Sequence, residues 1–195
     1  MISKKRVVLT IILLLSFLSR AEAITTKDVV NYMRYIKPTY YFGLNFPLGV
    51  TQDNYQTGFV VGANFFDRRK LFGNIDPGLA LSFHLLTPSG ADDSYVDISF
   101  VPIARYYHPY AKFINPLMVN DPLEIFLQGG FGFTQWNSSG SSKLKVLDPS
   151  VSDTDLTLTL GTGLTSQRFE LLILYTNVYA GTNIKYFTIS VGIHF

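Results

Sequence analysis

Ile184 to Phe195 reads IKYFTISVGIHF and alternates without a break. Phe187, Ile189, Val191, Ile193 and Phe195 share one parity, while Tyr186, Thr188, Ser190, Gly192 and His194 share the other. Side chains of a strand point to opposite faces in turn, so this segment has one apolar face and one small, polar face.

The same pattern recurs seven times upstream. A first strand is expected at about Thr39–Leu48, with Tyr40, Phe42, Leu44, Phe46 and Leu48 on its apolar face. A second, at about Tyr55–Phe66, carries Tyr55, Phe59, Val61, Ala63 and Phe65. A third, at about Pro77–Leu86, sets Leu79, Leu81, Phe83 and Leu85 against Gly78, Ala80, Ser82 and His84. A fourth, at about Tyr95–Tyr107, sets Val96, Ile98, Phe100, Ala104 and Tyr106 against Asp97, Ser99 and Arg105, with Val101 and Ile103 interrupting the polar face. The fifth (about Leu123–Thr134) and sixth (about Thr154–Thr165) alternate in the same way. The seventh, about Arg168–Ala180, is apolar on both parities. Glu170 and Thr176 assign Phe169, Leu171, Ile173 and Tyr175 to the apolar face. The connections expected at one end include the long stretch Gln135–Asp153; those at the other include Asp67–Asp76, His108–Pro122 and the tight Ser166–Gln167.

The N-terminus indicates export. Lys4, Lys5 and Arg6 precede the apolar run Val7–Ser19, and Ala21-Glu22-Ala23 supplies small residues where a signal peptidase reads them. The run is shorter than the roughly 20 residues of a spanning helix. Residues 1–23 are therefore expected to be a cleaved signal peptide, 24–37 a periplasmic arm or short helix ended by Pro38, and 38–195 the strand domain. Cleavage removes Lys4, Lys5, Arg6, Arg20 and Glu22, taking 16 basic and 14 acidic residues to 12 and 13. The basic balance thus belongs to the targeting segment and gives no argument for nucleic-acid binding. With no cysteine in the chain, neither disulfides nor lipid attachment at the cleavage point is available.

Alternation alone fits a soluble sandwich with its apolar face inward as well as a membrane barrel with that face outward. Two features choose the barrel. The polar parity is crowded with small residues, including Gly43, Gly58, Gly62, Gly78, Gly130, Gly132, Gly161, Gly163 and Gly192. A solvated face gains nothing from glycine, whereas a narrow lumen needs small residues beside large ones. The strand charges Asp97, Arg105, Glu124, Asp155 and Glu170 also lie on the polar parity, where a closed barrel can pair them. Aromatics on the apolar parity near strand ends, such as Tyr40, Tyr55, Tyr106, Phe133, Tyr175 and Phe187, suit interfacial girdles. Eight strands of about 10 to 13 residues match the 9–11 or so that a tilted strand needs to cross a bilayer.

A strand of this kind finishing on Phe195 resembles the closing strand of bacterial outer-membrane barrels. From about Thr39 to Phe195 the chain resembles the small eight-stranded proteins of the OmpX, OmpW and OmpA N-terminal-domain type. The fold expected is all-β: an eight-stranded antiparallel transmembrane up-and-down β-barrel. The resemblance implies residence in the cell outer membrane among lipid and lipopolysaccharide. It also implies insertion by the barrel-assembly machinery, with Phe195 as part of the signal that machinery reads. No cofactor, metal or nucleic acid is implied.

Three functional classes follow. The first is a structural or surface-interaction protein acting through its outer loops, with 135–153 as the candidate ligand-binding loop. The second is a narrow channel for small or hydrophobic solutes. The third is a lipid-modifying enzyme, since acyltransferases and deacylases share this architecture. His84, with Ser82 two residues away on one face and Asp92 and Asp93 nearby, is the candidate for that chemistry. His194 is expected at the periplasmic mouth and His108 in a turn. Asp97, Arg105, Glu124, Asp155 and Glu170 are expected to form a stabilising lumen network rather than a pore lining. Arg68-Arg69-Lys70 reads as a solvated turn. The glycine runs at 129–132 and 161–163 lie within strands with no helix after them, which rules out a phosphate loop.

Overall fold

A computed structural model describes residues 35–67, 69, 72–89, 94–113, 121–139, 152–179 and 183–194. Eight strands succeed one another: β1 (Ile36–Pro47), β2 (Tyr55–Asp67), β3 (Ile75–Pro88), β4 (Ser94–Phe113), β5 (Leu123–Ser139), β6 (Ser152–Thr165), β7 (Phe169–Val178) and β8 (Ile184–His194). A short helix, α1 (Val50–Asn54), sits between β1 and β2. Each strand pairs antiparallel with the next, and β1 pairs with β8 from Thr39↔His194 to Pro47↔Tyr186, closing the barrel. Closure leaves no unpaired sheet edge, the condition for strands to cross a bilayer. The end where β1 begins and β8 finishes is the lower end; α1 lies at the upper end.

The two faces are inverted relative to a soluble barrel. Phe42, Phe59, Val61, Ile98, Leu127, Phe131, Phe133, Leu160 and Ile189 are exposed around the wall. Thr39, Asn45, Asn64, Ser99, Arg105, Gln128, Thr134, Glu170, Thr188 and Ser190 are buried inside it. A continuous apolar exterior of this extent is satisfied by lipid, not water. The inward glycines make room for the few large lumen side chains. A Cβ on Gly62 would meet the Tyr41 hydroxyl at 2.6 Å, and one on Gly78 would meet the Phe66 ring at 2.7 Å. Gly73, in the turn between β2 and β3, has φ of 69°, a left-handed conformation that glycine adopts without a steric cost.

Several boundaries differ from the sequence expectation. Ile36 and Lys37, assigned to the N-terminal arm, open β1, pairing with Asp67 and Phe66. Residues 1–34, which hold the expected signal peptide and the rest of the arm, lie outside the described residues, as does Phe195. The His108–Pro122 connection is shorter than expected because β4 runs on to Phe113, with Lys112↔Glu124 and Phe113↔Leu123 in register. A register shift between Tyr107 and Lys112 absorbs the irregularity at Pro109, which has no N–H to give a ladder. Strands β5 and β6 likewise extend into the expected 135–153 loop, pairing as far as Asn137↔Ser152; residues 140–151 lie outside the described set. Tyr55, expected on the outer face, is 1% exposed. A second register shift, between Gln56 and Phe59, reverses the parity of the residues before it and turns Tyr55 inward.

Candidate functional site in the barrel lumen

The lumen is filled by side chains at two levels. At the lower level Arg105, on β4, reaches across to Glu170 on β7. Nη1 donates to Glu170 Oε2 at 2.5 Å and Nη2 to Oε1 at 2.9 Å, a two-point contact between planar groups. Nε and Nη2 also donate to Gln128 Oε1, at 3.2 and 2.7 Å. The guanidinium carbon lies 4.1 Å from the Phe66 ring centroid and 3.8 Å from that of Phe126. Both ions are sealed from solvent, at 0% and 1% exposure. The guanidinium therefore has a carboxylate, an amide and two aromatic faces in place of water. Phe66 continues into a small cluster with Val101 and Ile103, the two apolar residues that interrupt the polar face of β4.

At the upper level Tyr55, Leu86, Tyr95, Trp136, Val178, Ile184 and Tyr186 pack as one apolar cluster inside the barrel. The Tyr95 and Trp136 rings stack at 6.2 Å, and Tyr55 tilts against Tyr95 at 5.8 Å. Two carboxylates hold this cluster in place. Asp97 accepts the Tyr186 hydroxyl and the Ser99 hydroxyl, both at 3.1 Å. Asp155 accepts the Trp136 indole N–H at 2.7 Å.

Between the two levels lies a layer of short polar side chains. Ser99 and Thr134 share a hydrogen bond of 2.7 Å, and the Thr157 hydroxyl donates to Thr134 at 2.5 Å. His84 lies here, with Nε2 2.8 Å from Ser82 Oγ and Nδ1 3.1 Å from Asn45 Nδ2. The space beside it, lined by Tyr41, Asn64, Ser82, His84 and Thr159 among others, is only about 10 Å3. That volume is about one water molecule.

Of the five charges expected to form one network, the structure brings together Arg105 and Glu170. Asp97 and Asp155 instead anchor the upper aromatics, and Glu124 is half-buried at the lower mouth, where it lines an open cavity. His194 does lie at the lower end, bridging Thr39 Oγ1 at 2.7 Å and Thr165 Oγ1 at 2.9 Å across the closing strands. In the turn after β2, Arg69 pairs with Asp67. Sequence reasoning missed Phe66, Phe126 and Trp136 as lumen residues. The signal for Trp136 was the alternation itself, which continues past Thr134 through Gln135, Trp136 and Asn137. Among the described residues, no group of three His, Cys, Asp or Glu side chains is placed to hold a metal ion.

No family model and no curated protein matches the chain in sequence. Its fold is similar to that of solved outer-membrane proteins. Neisserial surface protein A (NspA) superposes with a TM-score of 0.53 at 12% identity, over 82% of this chain and 95% of that one. The outer membrane enzyme PagL superposes with a TM-score of 0.53 at 12% identity, over 80% of this chain and 98% of that one. At such identity the likeness establishes the fold: the small, closed, eight-stranded barrel of outer-membrane proteins.

Proposed function

We propose that the protein is an integral outer-membrane barrel that acts at the cell surface through its upper loops rather than by passing solutes. The observation that carries this reading is the doubly filled lumen. A solute would have to displace both the Arg105–Glu170 layer and the Tyr55–Trp136–Tyr186 cluster. Small eight-stranded barrels have lumens just wide enough for side chains to fill. NspA, a similar fold, is by its name a surface protein. In this reading residues 1–23 are removed on export and lipid and lipopolysaccharide surround the apolar wall. The upper end, including 140–151, would meet an extracellular partner.

The channel reading is tested by recording the purified, heat-modifiable barrel in planar bilayers. No unitary conductance steps are expected; steady, reproducible steps from the folded form would overturn the proposal. The enzymatic reading has one observation in its favour, the Ser82–His84 contact, together with the fold it shares with an outer membrane enzyme. Its weakness is access. The pair faces a space too small for an acyl ester, inside a wall whose lipid side it does not reach.

A further inference from the structure

His84 connects the polar middle layer to the irregularity in β2 that shapes the upper end. Its ring is buried, with Nε2 against Ser82 Oγ at 2.8 Å and Nδ1 against the Asn45 amide. That amide is also committed elsewhere. Nδ2 donates to Phe59 O at 2.9 Å, and Oδ1 accepts the Thr188 hydroxyl at 2.7 Å. Phe59 closes the segment over which the β2–β3 register shifts, the shift that turns Tyr55 inward. Tyr55 packs on Tyr95 within the cluster that holds Trp136. A chain of contacts therefore runs from the imidazole through Asn45 and the shifted segment of β2 to the upper aromatics.

This chain has two states because the amide offers Nδ1 both kinds of partner. Nδ2 is 3.1 Å away and Oδ1 3.4 Å. A neutral ring with its proton on Nε2 takes the Nδ2 donor, which keeps Asn45 turned toward Phe59. A proton on Nδ1 reverses the preference, repelling Nδ2 and attracting Oδ1. The amide must then turn, and Phe59 O loses its side-chain donor. Of the titratable groups around the ring, Asp97 is its register partner on β4, Tyr186 on β8 lies 5.0 Å from it ring to ring, and Tyr41 on β1 lines the same small space. From β2, β5, β6 and β7 that space is lined by neutral groups, including Asn64, Gln128, Thr159 and Thr176. Arg105 and Glu170 compensate one another in the layer below. The Asp97 carboxylate is thus the counter-charge for an imidazolium. We propose that His84 is an acid-responsive switch: a proton taken up at Nδ1 turns the Asn45 amide, frees the shifted segment of β2 and loosens the aromatic cluster beneath the upper loops. The inference goes beyond the surface role and does not depend on it, because it concerns the state of the lumen and not the partner outside.

The test is the emission of Trp136 in the folded full-length barrel, recorded from about pH 8 to pH 5, a range that brackets the ordinary imidazole value of about 6.5. The neutral wiring holds at the upper end of that range and is lost as the pH falls. A reversible shift to longer wavelength is expected, completed over about two pH units as for a single proton. His84→Gln can still bond to its neighbours but takes up no proton in this range, so its emission should stay constant. Asp155→Asn should keep the step, which separates the switch from titration of the carboxylate that the Trp136 indole itself contacts. Should His84→Gln lose its heat-modifiable band, Asn45→Ala takes its place: His84 remains, the link to Phe59 is cut, and the step should vanish. Three outcomes would overturn the switch: no step in the unaltered barrel, a step retained in the folded His84 or Asn45 variant, or a step lost in Asp155→Asn. None of these bears on the surface reading, which the bilayer recording tests separately.

Discussion

Breaking the Arg105–Glu170 pair from one side should destabilise the barrel far more than removing it from both. Each ion is out of contact with solvent, and each has its charge compensated chiefly by the other. In Arg105→Met the aliphatic stem is largely retained, so little cavity forms, but a carboxylate is stranded in the lumen. In Glu170→Met a guanidinium is stranded with one amide oxygen and two rings. Removing one partner of a buried pair costs about 3–5 kcal/mol. The double variant strands no charge. It leaves Gln128 Oε1 without its two donors, a loss of about 1–3 kcal/mol. The two single losses sum to about 6–10 kcal/mol, so the double variant should be more stable than additivity requires by about 3 kcal/mol or more. The assay is reversible urea unfolding of the lipid-inserted barrel. Trp136 is the chain's single tryptophan and sits buried in the upper cluster, so its fluorescence reports loss of the lumen. A constant denaturant slope across the four proteins would certify that only stability has changed. If the single losses add to within about 0.5 kcal/mol of the double, the two ions do not act as a unit and the account of the lower layer is wrong.

The remaining predictions concern the wall and its closure. Ile189 lies midway along β8, pairs with Leu44 and Ile173, and is exposed. Ile189→Arg should therefore cost about 2–4 kcal/mol in bilayers, whereas Ile193→Arg, near the lower rim, should cost about 0–1. Equal costs at the two positions would contradict a lipid-facing β8. Deleting Phe195 should lower the yield of heat-modifiable protein in the outer membrane while leaving the unfolding midpoint of the folded fraction nearly unchanged. A normal yield would remove that residue from the assembly signal.

How far the fold was legible depends on where period-two alternation runs unbroken. Phe187 to Ile193 and Phe42 to Phe46 could be placed on the outer face because every second residue is apolar and the intervening ones are small. Tyr55 could not, because a register shift leaves no mark in composition: QTG between Tyr55 and Phe59 reads the same whether or not the strand bulges. The ends of β4 and β5 were hidden by residue types common in turns. Pro109, and then Gln135 and Asn137, resemble loop residues although the ladder continues through them. The lumen charges show a different limit. Parity states which face a residue takes, not its height along the barrel. Arg105 and Glu170 meet across β5 and β6, which present Gln128, Gly161 and Gly163; a Cβ on Gly163 would meet the Phe126 ring at 2.5 Å, the ring against which the guanidinium packs. Asp97 and Asp155 share that parity but stand at the upper level, where their partners are phenol and indole.

His84 shows why proximity on one face does not amount to a reactive site. Ser82 Oγ and His84 Nε2 are 2.8 Å apart, the reach expected of a nucleophile and its base, and Asn45 stands on the far side of the imidazole. The direction of the hydrogen bonds is what matters. Phe59 O can only accept, so the Asn45 atom 2.9 Å from it is Nδ2. That orientation also turns Asn45 Oδ1 toward the Thr188 hydroxyl, which donates to it at 2.7 Å. The second N–H of the same amide lies nearer His84 Nδ1, at 3.1 Å, than Oδ1 does, at 3.4 Å, and this shorter contact makes Nδ1 the acceptor. The ring proton is thereby placed on Nε2, which donates to Ser82 rather than accepting from it. A base must accept the hydroxyl proton, so this wiring runs opposite to nucleophile activation. Polar side chains shut inside a closed lumen bond to one another where they meet, and constellations of this kind arise from that alone. Chemistry on an outside molecule needs both an unsatisfied group and room to approach it.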